Sequence, residues 1–295
     1  MTSLIVPTVV FGSALALLAL SFTFSYRIVR FANFAHVEYF TIGAYVGITL
    51  DGVAPLWVSL LAAMLAGAIV ALAMDLAVFQ HLTQASMSTK MIASAGLMLL
   101  LRFVIQFIWG VQPRTFSLTS DRIEIGPLRF SQIHLLIVVI AFVSVFAFAA
   151  VLRSTSLGRN LRAVADSHSL VQARGVNAAA VIRQSWLIAG AMAGLGGVLL
   201  GLDTFVRPDL GNSALLAMFA AVVVGGLGSP VGALVGSFIL AFGQNLILYI
   251  DFGNLFGGDS MYLGSHYKQV FAFGLLVLIL LVKPTGLFGE IEERA

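Results

Sequence analysis

The chain has 295 residues, 60% of them hydrophobic and only 10% charged, and its mean hydropathy is +1.02. An ordinary soluble domain is about 45–50% apolar and about 25% charged, so this chain cannot cover itself with polar surface, and lipid must be its solvent. That excludes a soluble enzyme, a nucleic-acid binder and a disordered chain; the net charge of +3 fits the basic bias of cytoplasmic membrane loops, and with no Cys there is no disulfide framework and no thiolate metal site.

In chain order, apolar runs predict membrane-spanning helices at 4–25, 36–50, 55–79, 91–110, 132–152, 184–202, 213–227, 231–250 and 269–283. Most reach the roughly 17–25 residues that cross a bilayer as helix, and the alternating segments of about 10 residues that build a barrel are missing. The first run has no basic segment before it, so it reads as a span rather than a signal peptide. The expected fold is all-α: one domain over 1–295, a polytopic transmembrane bundle of about nine spans, or eight if one short segment is re-entrant.

Lys and Arg set the orientation. Ten of them (Arg27, Arg30, Lys90, Arg153, Arg159, Arg162, Arg174, Arg183, Lys283 and Arg294) fall in one alternate set of breaks, against five in the other. The richer set is expected to be cytoplasmic, with the N-terminus outside and the C-terminus inside. Trp57, Trp109, Trp186, Tyr26, Tyr249 and Tyr267 fall near span ends, where amphipathic rings prefer to sit. Spans 36–50 and 213–227 are short and flanked by glycine, a pointer to a transport pathway. If spans 1–4 and 6–9 are inverted halves, these two are counterparts. Gly43–Gly47 also resembles Gly232–Gly236, but in a direction that an inverted repeat forbids, so that match is read as coincidence or small-residue packing.

Chemistry-bearing motifs are scarce. There is no Gly-Lys pair and hence no Walker A loop, no His-Glu-x-x-His helix and no Gly-x-Ser-Gly nucleophile turn. His36 and Glu38 are too close in sequence to share a helix face as metal ligands. Ion-coupled carriers bury acids at mid-membrane, whereas Glu38 and Asp75 are expected near cytoplasmic ends of spans. Arg102 is the basic residue clearly inside a span; it either faces a wet cavity, where it could attract a substrate carboxylate, or snorkels to backbone carbonyls. The break from Arg153 to Arg183 is too long for a tight turn. Leu161, Val164, Ala165, His168 and Val171 recur there at helical spacing, and Gly175 is placed to stop the helix. Such a helix would either dock into a soluble partner or lie on lipid headgroups.

The stretch Asn33-Phe34-Ala35-His36-Val37-Glu38, continuing to Gly43-Ala44-Tyr45, resembles the motif N-F-A-H-G-E/D-x-x-x-x-G-A-Y. Gly158-Arg159-Asn160-Leu161-Arg162-Ala163-Val164-Ala165 and Ala173-Arg174-Gly175-Val176-Asn177 match in the loop, followed by Ala191–Leu199, Gly225–Ala233 and Lys283–Gly289. Together they resemble the permease subunits of ABC importers for branched-chain and other hydrophobic amino acids, in order and over nearly the whole chain. The resemblance implies a type II importer-like permease that is no enzyme and carries no cofactor itself. ATP and Mg would be bound by two cytoplasmic ATP-binding subunits; a second related permease and an extracytoplasmic substrate-binding protein complete the assembly in the bacterial inner membrane. The loop 153–183 becomes the coupling loop, with Leu161, Arg162, Ala163, Asp166, Ala173, Gly175, Val176 and Asn177 as its contacts. Candidates for the translocation pathway are Asn33, His36, Glu38, Tyr45, Arg102, Gly226, Gly228 and Ser229. Val37 departs from the family glycine and adds β-branched bulk after the His.

Overall fold

The computed structural model describes residues 2–118, 122–125, 128–166, 177–251, 262, 264, 267–283 and 285–289. Among them are ten α-helices: α1 Thr2–Val29, α2 His36–Thr49, α3 Leu56–Ala77, α4 Met87–Trp109, α5 Gln132–Ser154, α6 Ser156–Asp166, α7 Ala178–Asp203, α8 Leu210–Gly225, α9 Pro230–Leu246 and α10 Tyr267–Val282. All except α6 coincide with apolar segments read from the sequence. Six are long and apolar enough to cross a membrane: α1, α3, α4, α5, α7, and α9 with its 3-10 extension to Tyr249. The remaining apolar helices, α2, α8 and α10, have 14, 16 and 16 residues.

Two local differences from the sequence reading have plain causes. Arg122–Ile125 (β1) and Leu128–Ser131 (β2) pair as an antiparallel ribbon where only a loop was expected. Arg122-Ile123-Glu124-Ile125 alternates polar and apolar, and Gly126-Pro127 is a turn signal in the sequence. Trp186 lies level with the end of α3 but is covered by protein rather than lipid: it is 1% exposed and stacks on Phe79, just past α3, with ring centroids 5.2 Å apart. It is on an inward face of α7, so its place in an apolar window did not show that its ring is covered by neighbouring helices.

The core is built around α1 and α7, whose small residues let neighbouring backbones approach. A Cβ on Gly190 would overlap the Gly67 carbonyl of α3, and one on Gly43 of α2 would run into Gly194 of α7. The helices obey an exchange of halves, α1 with α7, α2 with α8, α3 with α9 and α4 with α10. Thus α3 packs on α7 as α9 packs on α1, α2 joins α3 as α8 joins α9, and α4 rests on α2 as α10 rests on α8. The last two counterparts also share a register. Lys90 and Gly96 on α4 have the spacing of Lys268 and Gly274 on α10; Ser94 and Ala272 at matching positions are fully buried, and both glycines face open space. The short spans are therefore counterparts. The Gly43–Gly47 and Gly232–Gly236 likeness reflects close helix contacts in both places, against α7 and α8 respectively.

Candidate functional site

The motif Asn33–Glu38 builds the start of a helix inside the bundle. α1 ends at Val29, Arg30 adopts a left-handed φ of 55°, and the chain runs back in without helix until His36. Helix is delayed because Asn33 Oδ1 accepts from the Ala35 N–H at 3.0 Å, a local turn that competes with helical bonding. The Phe34 N–H donates to Ser94 Oγ on α4 at 3.1 Å. His36 is fully buried, with Nε2 2.8 Å from Ser21 Oγ of α1 and its ring edge-on to Phe22 and Tyr39. Asn33 and His36 thus both make contacts that fix where α2 begins.

The next turn carries charge. Glu38 is 0% exposed, and its Oε1 lies 3.4 Å from Arg102 Nη2 on α4. The carboxylate was expected near a cytoplasmic span end. It lies instead beside a residue about 22 Å along α4 at 1.5 Å per residue, because the non-helical stretch carries the chain inward before α2 starts. Arg102 does not simply snorkel: helical side chains lean towards the N-terminus of their helix, and this one reaches a buried acid. Glu38 Oε2 and Arg102 Nε have no hydrogen-bond partner among the described residues. Tyr45, two turns further along α2, is fully buried, packs on Trp109 at 5.3 Å, and its hydroxyl is likewise unpartnered among those residues. Trp109 Nε1 donates to Thr49 Oγ1 at 2.8 Å, so a polar seam follows the α2–α4 contact from Ser94 to Trp109.

α8 arrives at the same place from the other direction. Its Gly211 N–H donates to Thr41 Oγ1 of α2 at 2.9 Å, and a Cβ on Gly211 would overlap the Val37 carbonyl. The chain before it is tied down at Val206, whose N–H donates to the Arg114 carbonyl at 2.8 Å, and turns into the helix as the Leu210 N–H donates to the Arg207 carbonyl at 3.0 Å. Two half-length helices therefore bring their N-termini, each the positive end of a helix dipole, together in the turn of α2 that carries Glu38. Sequence reasoning missed Thr41 and Gly211; the only signal was their place in matching glycine-flanked short spans.

At the other end of α8, Gly226 and Gly228 take φ of 106° and 84°, and Ser229 Oγ caps α9 by accepting from Gly232 N–H at 3.1 Å. The C-terminal motif closes over this turn: Leu287 and Phe288 N–H donate to the Val224 and Gly225 carbonyls at 2.8 and 2.9 Å, satisfying helix-end acceptors. A basin of about 700 Å³ lies here, lined by Arg27, Arg30, Ala165, Gly228, Ser229 and Thr285 among others. Gly226, Gly228 and Ser229 thus sit at an end of the bundle, far along α8 from Glu38.

α6 forms earlier than its apolar spacing suggested. Thr155 Oγ1 accepts from the Gly158 N–H at 3.1 Å, and Arg162 donates to the Leu152 carbonyl, folding α6 back against α5. Leu161, Val164 and Ala165 turn inward and are buried, Arg30 Nη2 donates to the Ala165 carbonyl at 2.8 Å, and Arg162 and Ala163 stay exposed. Asn177 caps α7 through Ala180 N–H at 3.1 Å. The side chain of Asp166, and His168, Val171, Ala173, Gly175 and Val176 altogether, lie outside the described residues.

Comparison with known proteins places this geometry in a family. Residues 4–280 match the family model described as branched-chain amino acid transport system / permease component. The high-affinity branched-chain amino acid transport system permease protein LivH of Salmonella typhimurium is 29% identical over 96% of this chain and 94% of its own. The probable branched-chain amino acid transport permease protein LivH of Methanocaldococcus jannaschii is 30% identical, over 95% of this chain and 90% of that protein. The guanosine ABC transporter permease protein NupQ of Bacillus subtilis is 29% identical over 98% and 93%. No solved structure matches. With its bundle of apolar helices and a family match over nearly its whole length, the chain is a member of the branched-chain amino acid permease family of ABC transport systems.

Proposed function

We propose that this subunit forms part of the pathway by which an ABC importer carries branched-chain and other hydrophobic amino acids across the bacterial inner membrane. The family match over residues 4–280 carries this reading. A second related permease pairs with it in the lipid bilayer, an extracytoplasmic binding protein delivers the amino acid, and two cytoplasmic ATP-binding subunits supply the energy. The missing Walker A loop supports assigning ATP and Mg to those subunits.

The architecture is read as type II importer-like with nine crossings. α2 and α8 count as crossings because a non-helical stretch completes each of them. The Lys and Arg distribution supports an outer N-terminus and a cytoplasmic C-terminus. The 153–183 loop then lies where the ATP-binding subunits dock, and the surface α6 offers them is Arg162 and Ala163 rather than its apolar face. When ATP draws its subunits together, α6 transmits the motion to α1, α5 and α7, on which it packs. The pathway alternates access past the α2 and α8 N-termini.

The test is uptake. Proteoliposomes holding this chain with its permease, ATP-binding and binding-protein partners should concentrate leucine when ATP is supplied. Sustained concentrative uptake by this chain alone, driven by an ion gradient, would overturn the reading.

A further inference from the structure

The basin of about 700 Å³ beside the α8–α9 turn carries charge of one sign. Arg27 and Arg30, at the end of α1, line it, and no acidic residue does. Both arginines are exposed. Arg30 donates to the Ala165 carbonyl at 2.8 Å, and Arg27 has no hydrogen bond or ion pair among the described residues. Basic residues at a helix C-terminus suit its dipole and the cytoplasmic charge bias, so the two arginines alone name no partner. The basin also holds apolar surface, because Met87, Leu227 and Phe288 line it and are exposed.

The chain itself runs into this basin. Gly289, the last described residue, lines it, and the strap holds it there through the Phe288 N–H, which donates to the Gly225 carbonyl at 2.9 Å. Glu290-Ile291-Glu292-Glu293 follow, outside the described residues. Of the other acids expected towards the Lys- and Arg-rich side, Glu38 and Asp75 are buried in the bundle, which leaves only Asp166 to compete. Four extended residues reach roughly 13 Å, enough to cross the basin. Alternation along an extended chain sends Glu290 and Glu292 one way and Ile291 the other. Exposed ion pairs are individually weak, but a tether this short presents its acids at about millimolar effective concentration, which favours this segment over a free acidic peptide.

We propose that the basin is the docking site of the chain's own segment Glu290–Glu293, with Glu290 and Glu292 paired to Arg27 and Arg30, and Ile291 lying on Met87, Leu227 and Phe288. The docked segment extends the strap from the α8–α9 turn to the end of α1, a helix on which α6 also packs. The clasp is electrostatic and exposed, so salt opens it: the screening length falls from about 8 Å at 0.15 M to about 3 Å at 1 M. None of this depends on which cargo is carried.

The experiment uses the assembled importer in phosphatidylcholine nanodiscs, with the partner subunits made Cys-free and a nitroxide on Arg294→Cys. Electron paramagnetic resonance should show an immobilised label at 0.15 M KCl and a mobile one at 1 M. Arg27→Glu should mobilise the label at 0.15 M, and adding Glu290→Arg or Glu292→Arg to that variant should immobilise it again. The double change Glu290→Gln with Glu292→Gln leaves the bundle untouched and should free the label even if Arg27→Glu disturbs the fold. Asp166→Asn should leave it immobile. A label that is mobile in the otherwise unchanged chain, or that the two Gln changes do not free, overturns the proposal. So does a label immobile in phosphatidylcholine and freed in phosphatidylglycerol, which would give the basin to lipid headgroups. Mobilisation by Arg27→Glu in an importer that still assembles, with rescue by neither reversal, would give the arginine to the ATP-binding subunits and also overturn it.

Discussion

Single residues decide whether the two half-length helices can meet. Gly211 lies against the Val37 carbonyl with its N–H on Thr41, and a side chain there would push into backbone rather than into a yielding side chain. Gly211→Val should therefore destabilise the bundle by about 1–3 kcal/mol, the usual range for overpacking. A thermal-shift measurement on the detergent-solubilised importer would read this as a lower Tm. Gly96→Ala, at a glycine with nothing around it, should leave Tm unchanged in the same assay. An equal drop for both would mean that α2 and α8 do not meet as described. Val37 belongs to this contact. It is fully buried where the family motif has glycine, and its carbonyl, not its side chain, is what faces Gly211.

At the scale of elements, α6 shows how periodicity can be right about a face and wrong about its use. The spacing of Leu161, Val164 and Ala165 marked an apolar stripe, and the stripe packs against the permease's own helices. Helix amphipathicity says that a face is buried, not against what. If α6 docks the ATP-binding subunits, as proposed, it does so with the opposite face, which fixes the choice of mutation. Ala163→Asp leaves the buried stripe untouched and places a charge on the exposed side. Burying that charge unpaired would cost several kcal/mol, enough to lower association more than about tenfold. Co-purification with the ATP-binding subunits should fall accordingly, while membrane insertion persists. Co-purification at wild-type yield would argue that α6 lies on headgroups instead. The C-terminal motif is a second element whose role emerges only in three dimensions: its N–H groups cap α8, so it acts as a strap across the α8–α9 turn.

For the whole molecule, the orientation is testable at two exposed turns of this Cys-free chain. Val53 lies in the α2–α3 turn and Ser86 just before α4, and both are exposed. The Lys and Arg bias puts Val53 outside and Ser86 inside. Val53→Cys should react with a membrane-impermeant maleimide in sealed cells, and Ser86→Cys only after permeabilisation. The reverse pattern would invert the topology and, with it, the side on which α6 lies.

The sequence by itself determined the solvent, the helical class, the position of nearly every apolar helix and the family. Each of these follows from local quantities: apolar length against bilayer thickness, charge bias in the breaks, and short motifs read in order. It also pointed to the two short spans as counterparts, because glycine and shortness are visible in a linear string. What it could not supply was depth and partnership. Glu38 was placed near a span end, Trp186 as a ring beside lipid and the α6 stripe on a partner or on headgroups, because hydropathy windows record composition along the chain and not the neighbour across it. Only the tertiary structure brought Arg102 to Glu38 and Gly211 to Val37, residues 64 and more than 170 positions apart. Those contacts depend on where a non-helical stretch lets a helix start and on which small residues admit a neighbouring backbone, and both are settled by packing between helices rather than by any one of them.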